Sequence, residues 1–298
     1  MSTGTDPLAP LADLPGVPEA VAEVRKAVDR LYGHRVMRRR APEVTSEAAL
    51  RGARASAALD GADWPLEEVR RRSDFSADPE ARTVGAALRI SAEAGQLLSI
   101  WRHSPLQVLA RLHLLAVGDA DPSAGRPRQA GEPAGPAIPA DLAAAEGVGA
   151  TAAPVEGTVQ ELPPAPPAAE VAARLDQLSQ LLVGRTEGAV GGTPALVVSA
   201  VVHGELLALR PFGAYNGVIA RAAQRIVLIA EGLDPKAICP AEVGFAELGT
   251  AAYRQALLGY LGGTPEGMAR WIAHCGAALR LGVRESTAVC EAMQRGMV

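Results

Sequence analysis

The sequence has few aromatic residues. Phe, Trp and Tyr make up 3% of its 298 residues, although 48% of the residues are hydrophobic. The core must therefore be built from Leu, Val, Ala and Ile, and Ala is the strongest helix former among these. A chain of this size and hydrophobic content can bury a sizeable core in one large domain or two ordinary ones.

Cysteine and histidine are scarce as well. The three cysteines, Cys239, Cys275 and Cys290, are an odd number without CxxC spacing, so neither a disulfide framework nor a zinc site is indicated. This cysteine usage predicts a reducing, cytoplasmic location. The five histidines are dispersed along the chain without the spacing of a metal motif, and we expect no metal centre.

Positive charge is not in excess. The formal net charge is −4 at pH 7 and the pI is near 5.8, which argues against a general electrostatic role in nucleic-acid binding. Two local basic runs, at 35–40 and 70–72, have no interleaved aromatic residues and are typical of solvated helix ends. We expect no nucleic-acid partner.

Long hydrophobic runs are missing too. A membrane span needs about 18 or more apolar residues in succession, and the nearest run, 195–209, is interrupted by His203 and Glu205. The first residues show no signal-peptide pattern. The sequence therefore predicts a soluble protein without a membrane partner.

Few stretches alternate with the period of two that marks a half-buried strand. Apolar residues instead recur at spacings of three and four, which is the pattern of an amphipathic helix. The sequence predicts an all-α fold, with helices over 17–32, 81–101, 106–117, 168–182 and 195–209.

The most informative stretch is 201–225, where an apolar helical run breaks at Arg210-Pro211-Phe212 and another resumes after Asn216-Gly217. This pattern predicts two helices joined by a tight loop. The free backbone N–H groups at the start of the second helix, with Arg221 one turn further on, are the usual elements of an anion site. The alternative is that Asn216-Gly217 only turns the chain and Arg221 pairs with a carboxylate.

The same stretch resembles the signature of the Fic (Fido) family, which is His-Pro-Phe, any residue, Asp or Glu, Gly-Asn-Gly-Arg, any two residues, Arg. Five positions match, namely Pro211, Phe212, Asn216, Gly217 and Arg221. Flanking helices are similar as well, so the resemblance extends over about 45–295. It implies a Fic-like helical core with N-terminal helices and a C-terminal helical extension.

The positions that differ are the reactive ones. In the family the histidine is the general base that deprotonates a target hydroxyl as it attacks the α-phosphate of a nucleotide, usually transferring AMP. Arg210 stands there, and a guanidinium offers donors but no acceptor. Ala214 replaces the carboxylate that holds Mg²⁺, and Val218 replaces an arginine that neutralises phosphate charge. The resemblance thus implies a Fic fold without catalytic residues. ATP is a possible ligand of the vestigial site, and no Mg²⁺ is expected there.

A second resemblance lies in the predicted helix over 46–61. Many Fic proteins carry an inhibitory helix with Ser or Thr, three residues, Glu, then Gly or Asn, whose carboxylate pairs with the last arginine of the signature. Here Ser56, Asp60 and Gly61 match, with Asp60 one methylene shorter than Glu. The resemblance implies an ion pair between Asp60 and Arg221. The alternative is a solvated Asp before a glycine that ends the helix.

These observations divide the chain into a loose tail over 1–15, N-terminal helices with the inhibitory-like helix over 16–80, a Fic-like core over 81–235, and C-terminal helices over 236–298. Within the core, 119–167 is rich in Ala, Gly and Pro. We expect it to be a mobile flap or linker.

Two functions remain open. The first is a non-catalytic Fic-fold protein that binds or regulates a protein partner, or forms a homo-oligomer, with a vestigial anion site at Asn216, Gly217 and Arg221. The second is an active nucleotidyl- or phosphoryltransferase that uses ATP with a recruited base, His203 or His113. A recruited base must come within about 3 Å of the attacking hydroxyl, directly or through one water. The helical register places His203 behind the loop, which favours the first.

Overall fold

The computed structural model describes residues 6–118, 121–139, 161–186 and 192–297, and within them the chain forms thirteen α-helices and no strand. The prediction of an all-α fold is confirmed. The helices are α1 (Ala9–Ala12), α2 (Val17–Tyr32), α3 (Ala41–Leu59), α4 (Leu66–Arg71), α5 (Pro79–Glu93), α6 (Leu98–Trp101), α7 (Pro105–Val117), α8 (Ala168–Thr186), α9 (Ala195–Leu209), α10 (Asn216–Ala230), α11 (Ala241–Leu248), α12 (Thr250–Leu261) and α13 (Pro265–Gln294). A short 3₁₀ turn, Arg35–Arg38, joins α2 to α3.

Local sequence signals set several of the helix ends. Asp78 caps α5 by accepting a hydrogen bond from the Ala81 N–H at 2.7 Å. Thr264 caps α13, accepting from the Gly267 N–H at 3.1 Å. At the end of α3, Gly61 has a φ of +99°, and the Ala62 N–H donates to the Ala57 carbonyl at 2.9 Å. This Schellman ending leaves Asp60 at the last turn of α3.

One predicted helix is interrupted. The sequence predicts a continuous helix over 81–101, whereas α5 ends at Glu93 and α6 begins at Leu98. Gly95 lies in the break, and glycine costs about 1 kcal/mol relative to alanine in a helix interior. The turn keeps Leu97 and Trp101 in the core, so the interruption loses no apolar burial.

Helix α10 lies at the centre of the fold. All of its residues from Asn216 to Ile229 are buried, and it packs against α3, α5, α6, α7, α9 and α11. The long helix α13 packs along α2, α11 and α12 and also contacts α9. This arrangement places the end of α9 and the end of α3 around the N-terminal end of α10. The candidate functional site lies where these three helix ends meet.

Within the described part of the chain, no helix combines the length and the apolar character needed to cross a bilayer. In the same residues, no three or more His, Cys, Asp or Glu side chains gather as ligands for a metal ion. Cys239, Cys275 and Cys290 are buried free thiols.

Candidate functional site

The loop between α9 and α10, residues 210–215, turns tightly through two residues in the left-handed region. Arg210 has φ 45° and ψ 64°, and Tyr215 has φ 60° and ψ 18°. Because neither residue is glycine, each conformation is locally unfavourable and must be held by its surroundings. Asn216 supplies part of that support, since its Oδ1 accepts from the Phe212 N–H at 3.0 Å and its Nδ2 donates to the Phe212 carbonyl at 2.8 Å.

Phe212 anchors the loop from below. Its ring is 1% exposed and stacks on the imidazole of His113 in α7, with 4.2 Å between the ring centroids. The His113 Nδ1 accepts a hydrogen bond from the Gly125 N–H at 3.1 Å. Burial lowers the pKa of His113, so the neutral ring is favoured. His113 therefore lies beneath the loop as part of its support.

Arg221 and Asp60 meet at the first turns of α10. The Arg221 Nη2 lies 2.6 Å from the Asp60 Oδ1, and their side chains are 1% and 13% exposed. Arg221 also donates from Nε to the Ser56 Oγ and from Nη2 to the Ser56 carbonyl, each at 2.9 Å. The structure thus brings Ser56 and Asp60 of the inhibitory-like segment onto the signature arginine.

The Asp60 carboxylate also accepts a hydrogen bond from the backbone N–H of Val218, in the first turn of α10. It therefore lies where the helix N-terminus attracts an anion. Burial raises the pKa of the Asp60 carboxyl, and the Arg221 guanidinium and the Val218 N–H limit that rise. Asp60 thus supplies from within the chain the negative charge that this end of α10 favours.

A segment that we call the strap, residues 135–139, covers the same end of α10. The Gly135 N–H donates to the Phe212 carbonyl at 3.0 Å, and its carbonyl accepts from the Asn216 Nδ2 at 3.3 Å. Ala137 and Ile138 are 2% and 3% exposed. Arg254 of α12 holds the far end of the strap, donating to the Ile138 carbonyl at 3.3 Å and the Pro139 carbonyl at 3.1 Å.

The strap belongs to the range 119–167, for which the sequence predicts a mobile flap or linker. Of this range, 121–139 and 161–167 are described. The strap is held by hydrogen bonds to the loop and from Arg254, whereas 121–134 are exposed or half-buried. The mobility of the range stays a prediction, and 119–120 and 140–160 lie outside the described residues.

The strap and Asp60 leave little room beside Gly217. A β-carbon placed on Gly217 would lie 2.6 Å from the Asp60 Oδ1 and 2.8 Å from the Ala137 carbonyl oxygen. Glycine at this position therefore permits close approach of the chain's own groups. A phosphate group at the same position would have to displace both.

The Arg210 side chain turns away from α10. Its guanidinium donates from Nη2 to the Pro163 carbonyl, and its Nε is buried without a partner among the described residues. Ala214, at the family's metal-ligand position, contributes only a methyl group, and Val218 is buried in the core. The structure thus places neither a proton acceptor nor a carboxylate at these positions of the loop.

His203 of α9 is fully buried behind Arg221. Its Nε2 lies 2.6 Å from the Tyr253 hydroxyl, and its ring packs against Phe245 and Trp271. Burial raises the pKa of Tyr253 and the charge of Arg221 limits that rise, so the hydroxyl beside His203 stays protonated. Burial, then the charge of Arg221, lowers the pKa of His203 well below its usual value.

Sequence reasoning did not identify the strap or Arg254 as parts of this site. The signal available at the strap is short, namely Gly135 followed by the apolar pair Ala137 and Ile138 within a Gly- and Pro-rich segment. Arg254 lies 115 or more residues away from the carbonyl groups it contacts. Nothing in its local sequence indicates that contact.

Replacing Gly135 with alanine is expected to loosen the strap. A β-carbon there would lie 2.6 Å from the Gly213 carbonyl oxygen and 2.9 Å from the Ala214 Cα, both of them backbone atoms that cannot move aside cheaply. We expect a loss of about 1–3 kcal/mol in the free energy of unfolding, as for overpacking elsewhere. Hydrogen exchange at residues 135–139 should become faster.

Gly213→Ala is the matched control for this variant. Gly213 is an exposed residue of the 210–215 loop, which the strap contacts, and a β-carbon there would meet no atom within 4 Å. Its unfolding and exchange should stay close to those of the wild type. Equal behaviour of the two variants would show that the strap is not packed on the loop.

Comparison with known proteins identifies the fold. No family model and no curated protein matches the sequence. A Fic family protein from Desulfovibrio desulfuricans G20 has a similar structure, with a TM-score of 0.69 and 22% identity over 92% of this chain and 75% of that one. Fic-1 (residues 134–508) from C. elegans matches with a TM-score of 0.58 and 17% identity over 91% and 73%.

A Fic domain containing signaling protein from Bacteroides thetaiotaomicron VPI-5482 matches with a TM-score of 0.56 and 11% identity, over 92% of this chain and 98% of that one. The sequence identities are low, so these structural matches establish the fold alone. The chain has the all-α fold of Fic proteins over nearly its whole length, as its sequence resemblance predicts.

Proposed function

Since the chain has the Fic fold, we propose that it is a non-catalytic Fic-fold protein that binds or regulates a partner and does not transfer AMP. The observation that carries this proposal is that the protein's own Asp60 carboxylate, at the end of α3, occupies the α10 N-terminus, while Arg210 and Ala214 of the loop supply no proton acceptor. The partner is a second protein or another copy of this chain.

The first support is the chemistry of position 210. A general base must accept a proton in the transition state, and a guanidinium has no lone pair for this. Loss of a positioned base typically lowers a rate by about 10²- to 10⁴-fold. Arg210 is also bonded to the Pro163 carbonyl and does not point at α10.

The second support is the absence of phosphate and metal ligands at two other loop positions. Mg²⁺ is held in nucleotide sites by carboxylate and phosphate oxygens, and Ala214 has no side-chain oxygen. Val218, at the position of a family arginine, is 2% exposed and apolar. Only Arg221 remains to meet a phosphate, and Asp60 already neutralises it.

The alternative function, transfer of a nucleotidyl or phosphoryl group with a recruited base, depends on His203 or His113. His203 is 0% exposed and its Nε2 is engaged by Tyr253. His113 is 1% exposed and stacked beneath Phe212. A hydroxyl substrate would have to come within about 3 Å of one of these rings, and both are covered by the core. Their burial favours the non-catalytic function.

The proposal is tested with α-labelled ATP and either Mg²⁺ or Mn²⁺, with the purified protein alone and with cell lysate. We expect no label on the protein or on any lysate component from the wild type or from Asp60→Ala. Label transfer by the wild type would overturn the proposal. Label transfer by Asp60→Ala but not by the wild type would also overturn it, because it would mean that the active site is competent and is blocked by Asp60.

Isothermal titration with ATP, with and without Mg²⁺, examines the vestigial anion site separately. We expect no measurable heat with the wild type, and weak binding that does not depend on Mg²⁺ after Asp60→Ala, since that substitution frees Arg221 and the Val218 N–H. Binding by the wild type that disappears in Arg221→Ala would instead indicate an open nucleotide pocket.

A further inference from the structure

A cavity of about 390 Å³ lies on the other side of the loop from the α10 N-terminus. Its walls come from the end of α9, the start of α8 with the residues before it, and the junction of α12 and α13. Its volume is within the range of about 300–1,000 Å³ that is usual for small-molecule sites. We call it the α9 cavity.

Much of the wall of the α9 cavity is apolar. Leu162, Leu207, Leu261 and Met268 line it from four different parts of the chain. Leu162 and Met268 are half-buried, so the apolar surface is open to a ligand from solvent. Such a wall favours a ligand with an apolar body.

The single carboxylate of this wall is already satisfied. Arg174 donates to both oxygens of Glu205, at 2.8 and 2.9 Å, and the Tyr260 hydroxyl donates to Oε2 at 3.0 Å. Burial and Glu205 raise the pKa of Tyr260, so its hydroxyl stays protonated and keeps donating. This side of the cavity is therefore close to electrically neutral.

The remaining charged group of the wall is Arg210, and it lacks a counter-charge. Among the described residues no carboxylate lies within ion-pair distance of it, and its guanidinium is bonded only to the Pro163 carbonyl. Arg128, next to it, also donates only to backbone carbonyls, those of Arg210, Pro166 and Leu209. Two positive charges thus adjoin one end of an apolar cavity.

We infer that the α9 cavity binds a small amphipathic carboxylate, with the charged head at Arg210 and the apolar tail along Leu207, Leu261 and Met268. The planar guanidinium of Arg210 lines the cavity, has no carboxylate partner among the described residues, and matches the two oxygens of a carboxylate. A monoanion suits the site because one unpaired arginine lines it. This site is independent of any nucleotide binding at α10, and it gives Arg210 a binding role.

The test uses isothermal titration of the full chain with three ligands that share a tail: octanoate, octanol and octylamine. We expect octanoate to bind at least about tenfold more tightly than octanol, because charge-assisted hydrogen bonds are worth that much, and octylamine to bind weakest. Hexanoate should bind about 15-fold more weakly than octanoate, since each buried methylene contributes about fourfold.

Three variants localise the binding. Arg210→Gln should weaken octanoate about tenfold or more and leave octanol unchanged, which separates loss of the head-group contact from misfolding. Met268→Glu should weaken both ligands by placing a charge in the apolar wall. Arg102→Gln, which removes an exposed arginine just after α6 and outside the cavity, should change the affinity for neither ligand. The inference would be overturned by equal affinities of the wild type for octanoate and octanol, by an unchanged octanoate affinity in Arg210→Gln, or by no binding of octanoate.

Discussion

Replacing Asp60 with alanine is expected to lower the free energy of unfolding by about 3–5 kcal/mol, the usual cost of removing one partner from a buried ion pair. Arg221 is 1% exposed, and Asp60 is the carboxylate that contacts it in the described structure. Ser56 would still accept its hydrogen bonds, but it carries no compensating charge. Urea denaturation at neutral pH, followed by fluorescence and by circular dichroism, measures the loss.

Asp63→Ala is the control for this prediction, because Asp63 follows the same helix and also pairs with an arginine. Its side chain is 67% exposed and contacts Arg54 at the surface. Exposed pairs contribute at most about 1 kcal/mol, so this variant should lose little stability. Asp60→Asn keeps a hydrogen-bond acceptor without the charge, so its loss in the free energy of unfolding should lie between those of the two alanine variants. If Asp60→Ala and Asp63→Ala lose the same amount, the Arg221 charge is balanced by another group.

The helices and the loop of the site are well marked in the sequence because short-range signals set them. Pro211 cannot continue α9, Asn216-Gly217 begins α10, and Gly61 ends α3 in the left-handed conformation. These residues act through their own backbone preferences. The relation of Asp60 to Arg221, across 161 residues, required the resemblance to a known family in addition.

The strap was not predictable because its stability depends on distant partners. Ala, Gly and Pro composition predicts a segment without regular structure, and residues 135–139 form no helix. What holds them is a set of hydrogen bonds to the Phe212 carbonyl, to Asn216 and from Arg254. The small size of Gly135 lets its backbone touch that of Gly213 and Ala214, and that fit is visible only when both segments are in place.

Arg210 is a single residue whose contacts likewise could not be predicted from the sequence. Its identity alone excludes a proton acceptor at that position, whatever the structure is. The direction of its side chain, towards Pro163 and the α9 cavity, depends on the left-handed backbone at Arg210 and on the placement of residues 162–166. Sequence chemistry therefore indicated what the residue cannot do, and the structure indicates what it contacts.

Acid is expected to destabilise the fold at a pH where most proteins are still stable, because the buried His113 and His203 and the half-buried His274 are held neutral. Burial lowers the pKa of His274 to about 4 and that of His203 well below its usual value. Their unfolded values are near 6.5, so between about pH 6.5 and 4 the unfolded chain binds more protons and stability falls as the pH is lowered. From pH 7 to pH 5 His274 alone should cost about 2 kcal/mol, and the lowered pKa of His203 adds to that loss in the same direction.

The structural reason is clearest at His203. Its ring is 0% exposed, its Nε2 lies 2.6 Å from the Tyr253 hydroxyl and its Nδ1 has no hydrogen-bond partner among the described residues, so an imidazolium there would be a buried charge without a counter-charge. It would also place a third charge beside Arg221 in the core.

Urea denaturation from pH 7.5 to 5 measures the effect, and His274→Gln separates one histidine from the rest. That variant should reduce the slope of stability against pH by about one proton, or about 1.4 kcal/mol per pH unit, below pH 6. His103→Gln removes an exposed imidazole and should keep the wild-type slope. A wild type that is as stable at pH 5 as at pH 7 would mean that the His203 ring and its neighbours are accessible to water, and that the core behind Arg221 opens readily.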